Sequence, residues 1–354
     1  MNSKRIIILA GGSGGHVFPG LTIAKHLIKK GWDINWIGTK NKIESEIIPK
    51  CNIKIHFIKI QGLRNSSLKN LIMTPINVLN SYLQVRKIIK NWIPDIILGM
   101  GGYVSGPGGL AAWSCKIPFI LHEQNKIAGI TNKLLSKIST KNMQAFSGTL
   151  LNAEIVGNPI RKNIIDIPPP IKRFKNRKGP LRILIIGGSQ GASIFNKILP
   201  KISFFLQEKA IIWHQSGNND LQKTRKKYKK YSTYKHIVSS FIKNIAEAYE
   251  WADIIISRSG ALTVSEITVV GLGAIFIPYP HKDKQQYLNA EDLENNGAAK
   301  IIEQSMFTAE LIIKILNSLN REKLFIMAKK AYSLGIRNST SKISKIIHDV
   351  SNKI

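Results

Sequence analysis

The chain is poor in cysteine, poor in acidic residues and free of long apolar runs. Its 354 residues hold two cysteines, Cys51 and Cys115, far apart and without a CxxC spacing. That pattern excludes a disulfide framework and a thiolate zinc site, and it fits a reducing compartment. Acidic residues number 21 against 52 lysines and arginines, a formal net charge of +31. Such a surplus raises nucleic acid or an anionic membrane as partners. It also fits a genome biased toward A and T, because Lys, Ile and Asn recur at positions that look like plain surface. No RNP, zinc-finger or helix-turn-helix signature accompanies the charge, so the sequence points to no nucleic-acid partner. The apolar run before Gly11 is shorter than the ~7–15 residues of a signal-peptide core. Nothing reaches the ~18 uncharged apolar residues of a membrane span. The expectation is a soluble chain, or one that lies on a membrane without crossing it.

Two common nucleotide signatures are missing as well. No glycine stands before Lys-Ser or Lys-Thr as a P-loop requires. The dinucleotide fingerprint needs GxGxxG and an acid after the second strand. Here Val17 replaces the third glycine, and Gly38-Thr39-Lys40 carries no acid. There is no Asp-x-Asp pair and no His/Asp cluster at ligand spacing, so no metal is expected.

What is present is an internal echo. Residues 5–15 read RIIILAGGSGG and residues 182–192 read RILIIGGSQGA. Short apolar strands are expected at 5–10, 34–38, 53–58, 95–99 and 119–122. In the second half they fall at 182–186, 210–215, 236–239, 253–257 and 274–278. Helices alternate with them, at 16–30, 75–91, 192–207, 246–251, 262–270 and 284–295. This alternation means parallel sheets covered on both faces. The fold class is therefore α/β, with two Rossmann-like doubly wound domains facing a cleft. Their bounds are 1–161 and 162–337. The joint, NIIDIPPPIKRFKNRKGP at 163–180, is too proline-rich for a sheet. A last helix near 339–349 either caps the second domain or packs back on the first.

Four glycine-containing loops follow strands and open helices: GGSGGHVFPG, GMGGYVSGPGG, GGSQGA and SRSGALTVSE. In open parallel sheets ligands sit beyond the carboxyl ends of the strands. In SRSGALTVSE, Gly260 allows a tight turn and Ala261, Leu262 and Thr263 present free N–H groups to a diphosphate. Arg258 either adds charge or buttresses the loop. Glu266 either accepts hydrogen bonds from a ribose diol or is a favourable charge near the helix start. The segment 68–92 has Ile76, Leu79 and Leu83 on one face and Val78, Tyr82, Val85 and Ile89 on another. Pro75 suits its start. One face serves the core. The other, near Lys69, Arg86, Lys87, Lys90 and Trp113, either rests on anionic lipid or is buried too.

With HEQN at 122–125, GNPIR at 157–161 and QQYLNA at 285–290, these motifs together resemble the MurG family over essentially the whole chain. These are bacterial N-acetylglucosaminyltransferases of peptidoglycan synthesis with the two-domain GT-B fold. The resemblance implies an inverting transfer from UDP-N-acetylglucosamine to lipid I, forming lipid II. No other cofactor is implied. It also implies a peripheral position on the cytoplasmic face of the inner membrane, and it leaves open contact with other peptidoglycan-synthesis proteins. The first domain would take the acceptor and the membrane, the second the donor. By similarity, donor contacts fall on Ser13, Gly14, Gly15, Asn125, Arg161, Ser189, Ile242, Ala261, Leu262, Thr263, Val264, Ser265, Glu266, Gln285 and Gln286. Ile242 would offer backbone groups to uracil. His16 is the first candidate for general base, or else a contact to phosphate. Glu123 is the rival base, supported by His122. Tyr103 either positions the acceptor or is a loop aromatic. The alternatives are a UDP-N-acetylglucosamine epimerase of the same architecture and, on the charge alone, a basic nucleic-acid-binding protein.

Overall fold

The computed structural model describes residues 3–60 and 68–352, and the side chains of all of these except 68–74. The chain divides into two compact units, Met1–Arg161 with Asn338–Ile354, and Lys162–Arg337.

The first unit is built on β1 (Arg5–Leu9), β2 (Asp33–Gly38), β3 (Lys54–Phe57), β4 (Ile96–Gly99), β5 (Phe119–Glu123), β6 (Lys141–Gln144) and β7 (Glu154–Ile155). They form one sheet in the order β3-β2-β1-β4-β5-β6-β7. All its pairings are parallel, with Ile6 opposite Ile34 on one side and Ile96 on the other. Alternation along β1 feeds two cores. Ile6 and Ile8 pack with Val17, Leu21 and Ala24 of the helix Gly14–Ile28. Ile7 and Leu9 pack with Val85 and Ile89 of the helix Leu68–Trp92. Burial on both faces is why β1 reads as an unbroken apolar run.

The second unit repeats the plan with β8 (Leu181–Ile186), β9 (Ala210–Gln215), β10 (Ile237–Ser239), β11 (Ile254–Ser257), β12 (Gly273–Phe276) and β13 (Ala299–Ile301). Their order is β10-β9-β8-β11-β12-β13. In each sheet the winding reverses beside the first strand, between β1 and β4 and between β8 and β11. A reversal of this kind opens a crevice at the carboxyl ends of those strands. The four glycine loops are the turns that leave these four strands.

One expectation needs correction. The long helix begins at Leu68, so Pro75 lies inside it rather than at its start. Pro19 and Pro200 are also interior to helices, so proline marks boundaries poorly in this chain. The segment 163–180 holds no strand. It forms the short helices Lys162–Ile165 and Pro170–Phe174 and clamps onto the second unit. Arg173 is buried and donates to the carbonyls of Pro168, Val270 and Gly271. It thereby closes the C-terminal end of the helix Ala261–Val270. Burial lowers its pKa to about 10. Arg177 and Arg321 both pair with the fully buried Asp253, at 2.7 and 3.1 Å. The helix Ser339–Ser351 lies on the first unit. Ile343 and Ile347 are wholly buried beside Val17 and Leu21, and Lys4 Nζ donates to Ser351 Oγ at 2.9 Å. The chain therefore passes between the units twice.

Candidate functional site

In the first unit, the turn after β1 is held open by a carboxylate. Glu44, fully buried, accepts the Gly12 N–H at 3.1 Å, the Thr39 N–H at 3.0 Å and the Thr39 hydroxyl at 2.8 Å. Glu44 comes from the helix that follows β2, Ile43–Ile47. The turns after β1 and β4 touch each other. Gly102, at φ +78°, could not be alanine, since a Cβ would lie 2.7 Å from the Gly11 carbonyl oxygen. A Cβ on Gly101 would lie 2.9 Å from His16 Cδ2, so His16 is seated between the two turns. Tyr103 lies over Gly12.

Ser13 Oγ is 3.1 Å from His16 Nδ1, which diverts this hydroxyl from capping its own helix. Gly14 and Gly15 begin that helix, where amides have no intrahelical partner. Burial holds the His16 imidazole below its ordinary value. The Glu123 carboxylate, the Gly11 carbonyl and the Glu44 carboxylate push the other way without cancelling it. His16 is therefore neutral at pH 7 and able to accept a proton.

The turn after β5 is organised by Glu123. This buried carboxylate accepts from Asn125 N–H and Nδ2, from Gly129 N–H, and from Asn132 Nδ2 at 2.7 Å. Four donors leave it little room to act as a base. His122 does not support it. Its Nε2–H donates to the Gly157 carbonyl at 2.9 Å, while Nδ1 accepts from Gln124 Nε2. Burial lowers the His122 pKa to about 4, so this ring is neutral and ties HEQN to GNPIR. Arg161 is exposed at the last position before the second unit begins.

In the second unit, Gln215 at the end of β9 braces the turn after β8. Its Nε2 donates to the Gly188 carbonyl at 2.8 Å, and its Oε1 accepts the Ile242 N–H at 2.8 Å. The Ile242 N–H is thus already engaged. Gly191 and Gly217 interlock, since a Cβ on Gly191 would lie 2.0 Å from the Ser216 carbonyl oxygen. Ser189 stands exposed at the tip.

The turn after β11 opens the helix Ala261–Val270 through Gly260. Arg258 does not face that helix end. It donates to the carbonyls of Ile277 and Pro278 and to Gln304 Oε1, and it stacks on Phe195 and Tyr279. Of its two readings, the buttress is correct. Val264 is displaced as a donor contact: its side chain is in the core and its N–H bonds the Gly260 carbonyl. Ala261, Leu262 and Thr263 are the first residues of the helix. Ser265 and Glu266 follow, half-buried, and Glu266 Oε2 accepts from Tyr249 Oη at 2.8 Å. Gln285 and Gln286 open the next helix, where Gln286 Oε1 accepts the Tyr279 N–H. Asn289 Nδ2 reaches back to the Ser259 carbonyl, joining this helix to the turn. Sequence reading missed Glu44, Gln215 and Tyr249, because none belongs to a glycine motif.

On the membrane question, the helix Leu68–Trp92 is not buried on both faces. Ile76, Leu79 and Leu83 are 51%, 56% and 50% exposed, and Trp113 of the neighbouring helix is 61% exposed. Lys69 lies outside the described side chains. Among the described residues, no helix is long and apolar enough to cross a membrane.

Comparison with known proteins fits these features. Residues 6–144 match the glycosyltransferase family 28 N-terminal domain, and residues 182–350 the family 28 C-terminal domain. The chain is 69% identical, over all of both proteins, to the UDP-N-acetylglucosamine--N-acetylmuramyl-(pentapeptide) pyrophosphoryl-undecaprenol N-acetylglucosamine transferase of Buchnera aphidicola subsp. Acyrthosiphon pisum (strain Tuc7). It is 36% identical to Acinetobacter baumannii MurG in its crystal structure, with a TM-score of 0.86 over 98% of this chain and 99% of that one. A UDP-N-acetylglucosamine 2-epimerase, 13% identical with a TM-score of 0.65 over 98% and 96% of the two chains, shares the fold alone. The chain belongs to glycosyltransferase family 28 and, within it, to the MurG transferases.

Proposed function

We propose that this protein transfers N-acetylglucosamine from UDP-N-acetylglucosamine to the 4-hydroxyl of the N-acetylmuramoyl unit of lipid I, producing lipid II. The observation that carries this reading is the full-length 69% identity to a transferase whose name specifies donor and acceptor. The site chemistry supports it. The acceptor oxygen attacks the anomeric carbon, the bond from that carbon to UDP breaks on the opposite side, and configuration inverts. UDP leaves with increasing negative charge, which the N–H groups at the start of the helix Ala261–Val270 and at Ser189 stabilise. Glu266, steadied by Tyr249, takes the ribose hydroxyls, and the Ile242 carbonyl reads uracil. Gln285 and Gln286 read the sugar hydroxyls.

His16 is the base. With Nδ1 beside Ser13, Nε2 is the nitrogen that receives the acceptor proton. Glu123, committed to four donors, keeps the neighbouring turn in place instead. Ser13, Gly14, Gly15, Asn125 and Arg161 complete the donor contacts. Ile76, Leu79, Leu83 and Trp113, with Arg86 and Lys90 beside them, rest on the anionic surface that holds the acceptor's lipid tail. The protein then works as a peripheral enzyme on the cytoplasmic face of the inner membrane.

The test is incubation with labelled UDP-N-acetylglucosamine and a soluble lipid I analogue. A β-1,4-linked disaccharide product is expected. Consumption of donor without disaccharide would overturn the transferase reading in favour of epimerisation.

A further inference from the structure

At the outer edge of the first unit's sheet, a groove of about 660 Å³ runs between β3 and the helix Leu68–Trp92. Its lining includes Asn35, Lys40, Lys54, His56, Lys87 and Trp92, and no acidic residue. Parallel register sets Asn35 opposite Lys54 and Ile37 opposite His56, so Asn35, Lys54 and His56 project from one face of the sheet. Asn35 is 3% exposed, yet its Nδ2 has no hydrogen-bond partner. The buried Nε2 of His56 has none either. Buried polar atoms are rarely left this way, and each instance asks for an explanation. Among the described residues, Lys40, Lys54 and Lys87 have no carboxylate partner. Desolvation, with Lys54 adding to it, holds the His56 imidazole below its ordinary value. The groove thus gathers three ammonium groups and a desolvated amide donor around a neutral ring, with nothing negative to balance them.

We propose that this groove binds a phosphate group, as a monoester or a diester. Lysine ammoniums supply point charges to phosphate oxygens, and the Asn35 amide supplies a directed hydrogen bond at the base. Phosphate would also favour protonation of His56, which turns Nε2 into a further donor. The groove is lined from β2, β3 and the helix Leu68–Trp92, and none of its residues belongs to the glycine turns after β1 and β4. Two sources carry this group. Lys87 follows Leu83 by one turn along the exposed stripe of the helix, which suits an anionic phospholipid headgroup. A soluble phosphate compound offers the same oxygens.

The experiment follows the His56 ring signals by NMR in the full chain, titrated with inorganic phosphate and with glycerophosphoglycerol. Chloride at matched ionic strength is the control. Saturable shifts with the phosphate probes are expected. The double variant Lys40→Gln/Lys54→Gln should weaken them at least about tenfold, while the equal charge change Lys50→Gln/Lys133→Gln should not. Flotation with phosphatidylglycerol vesicles separates the sources. A matching loss in Lys40→Gln/Lys54→Gln identifies the headgroup, and unchanged flotation identifies a soluble compound. Ring signals that ignore every phosphate probe, follow chloride equally, or respond undiminished in the double variant would overturn the proposal. Failure of the wild-type chain to float at all would count against the membrane reading and leave the NMR result to decide the groove.

Discussion

The two glycine turns that follow β1 and β8 share a sequence pattern and differ in what braces them. The first leans on the Glu44 carboxylate, the second on the Gln215 carboxamide. A carboxylate only accepts hydrogen bonds, whereas an amide also donates. The first turn therefore points an N–H inward, and the second points a carbonyl inward. The charges differ too. Glu44 and Glu123 place negative charge near His16, which favours the imidazolium formed when a proton arrives. Gln215 is neutral, so no buried charge of its own opposes a diphosphate at the second turn. On the proposed reading, the charged brace lies beside the base and the neutral brace beside the diphosphate.

The largest effect should come from the first turn. His16→Ala is expected to lower kcat by about 10²–10⁴-fold while leaving UDP-N-acetylglucosamine affinity nearly unchanged. An equal loss in affinity would place His16 on a phosphate instead. Because burial lowers the His16 pKa, the wild-type rate should fall only as pH drops through a value below 6.5. That acid limb should vanish from the residual activity of the variant.

In the second unit, Glu266→Ala should weaken donor binding by about 10–100-fold, from loss of charge-assisted hydrogen bonds worth about 1.5–3 kcal/mol. Unchanged binding by calorimetry would remove its ribose role. Exchanging the braces tests the comparison itself. Gln215→Glu should reduce donor affinity roughly tenfold through repulsion of the diphosphate, on the scale of a charge pair at an effective dielectric constant near 20. Glu44→Gln should lower donor affinity less than Gln215→Glu does, and lower stability by about 1–3 kcal/mol, because an amide cannot accept all three of its donors. If both variants lost donor affinity alike, the charge of the brace would not matter. The smallest change is expected from Tyr249→Phe, about 0.5–1.5 kcal/mol in donor binding through a less steady Glu266.

The parallel sheets, the glycine turns and the resemblance were legible because each is local. An apolar run, a glycine and a helix start lie within about ten residues of one another. The braces were not legible, because Glu44 and Gln215 act on turns some thirty residues away in sequence, at Gly12 and Gly188. The helix Leu221–Tyr231, LQKTRKKYKKY, was missed for another reason. It buries only Thr224 and Tyr228, so it shows no apolar stripe to read. The short strands β6, β7 and β13 were missed because they add few residues of alternating pattern. Arg173 stands in the basic run KRFKNRK, where nothing in the sequence singles it out. Only the fold reveals that it closes a helix end.

The return of the final helix to the first unit has a consequence for synthesis. A chain leaves the ribosome from its N-terminus, and domains tend to fold as they emerge. Here the second unit is complete once Arg337 is free. The first unit, begun earlier, still lacks Ile343 and Ile347 from the middle of its core. The unit translated first is therefore the last to be finished. A premature stop after residue 337 should release a chain whose second unit folds and whose first unit exposes apolar surface.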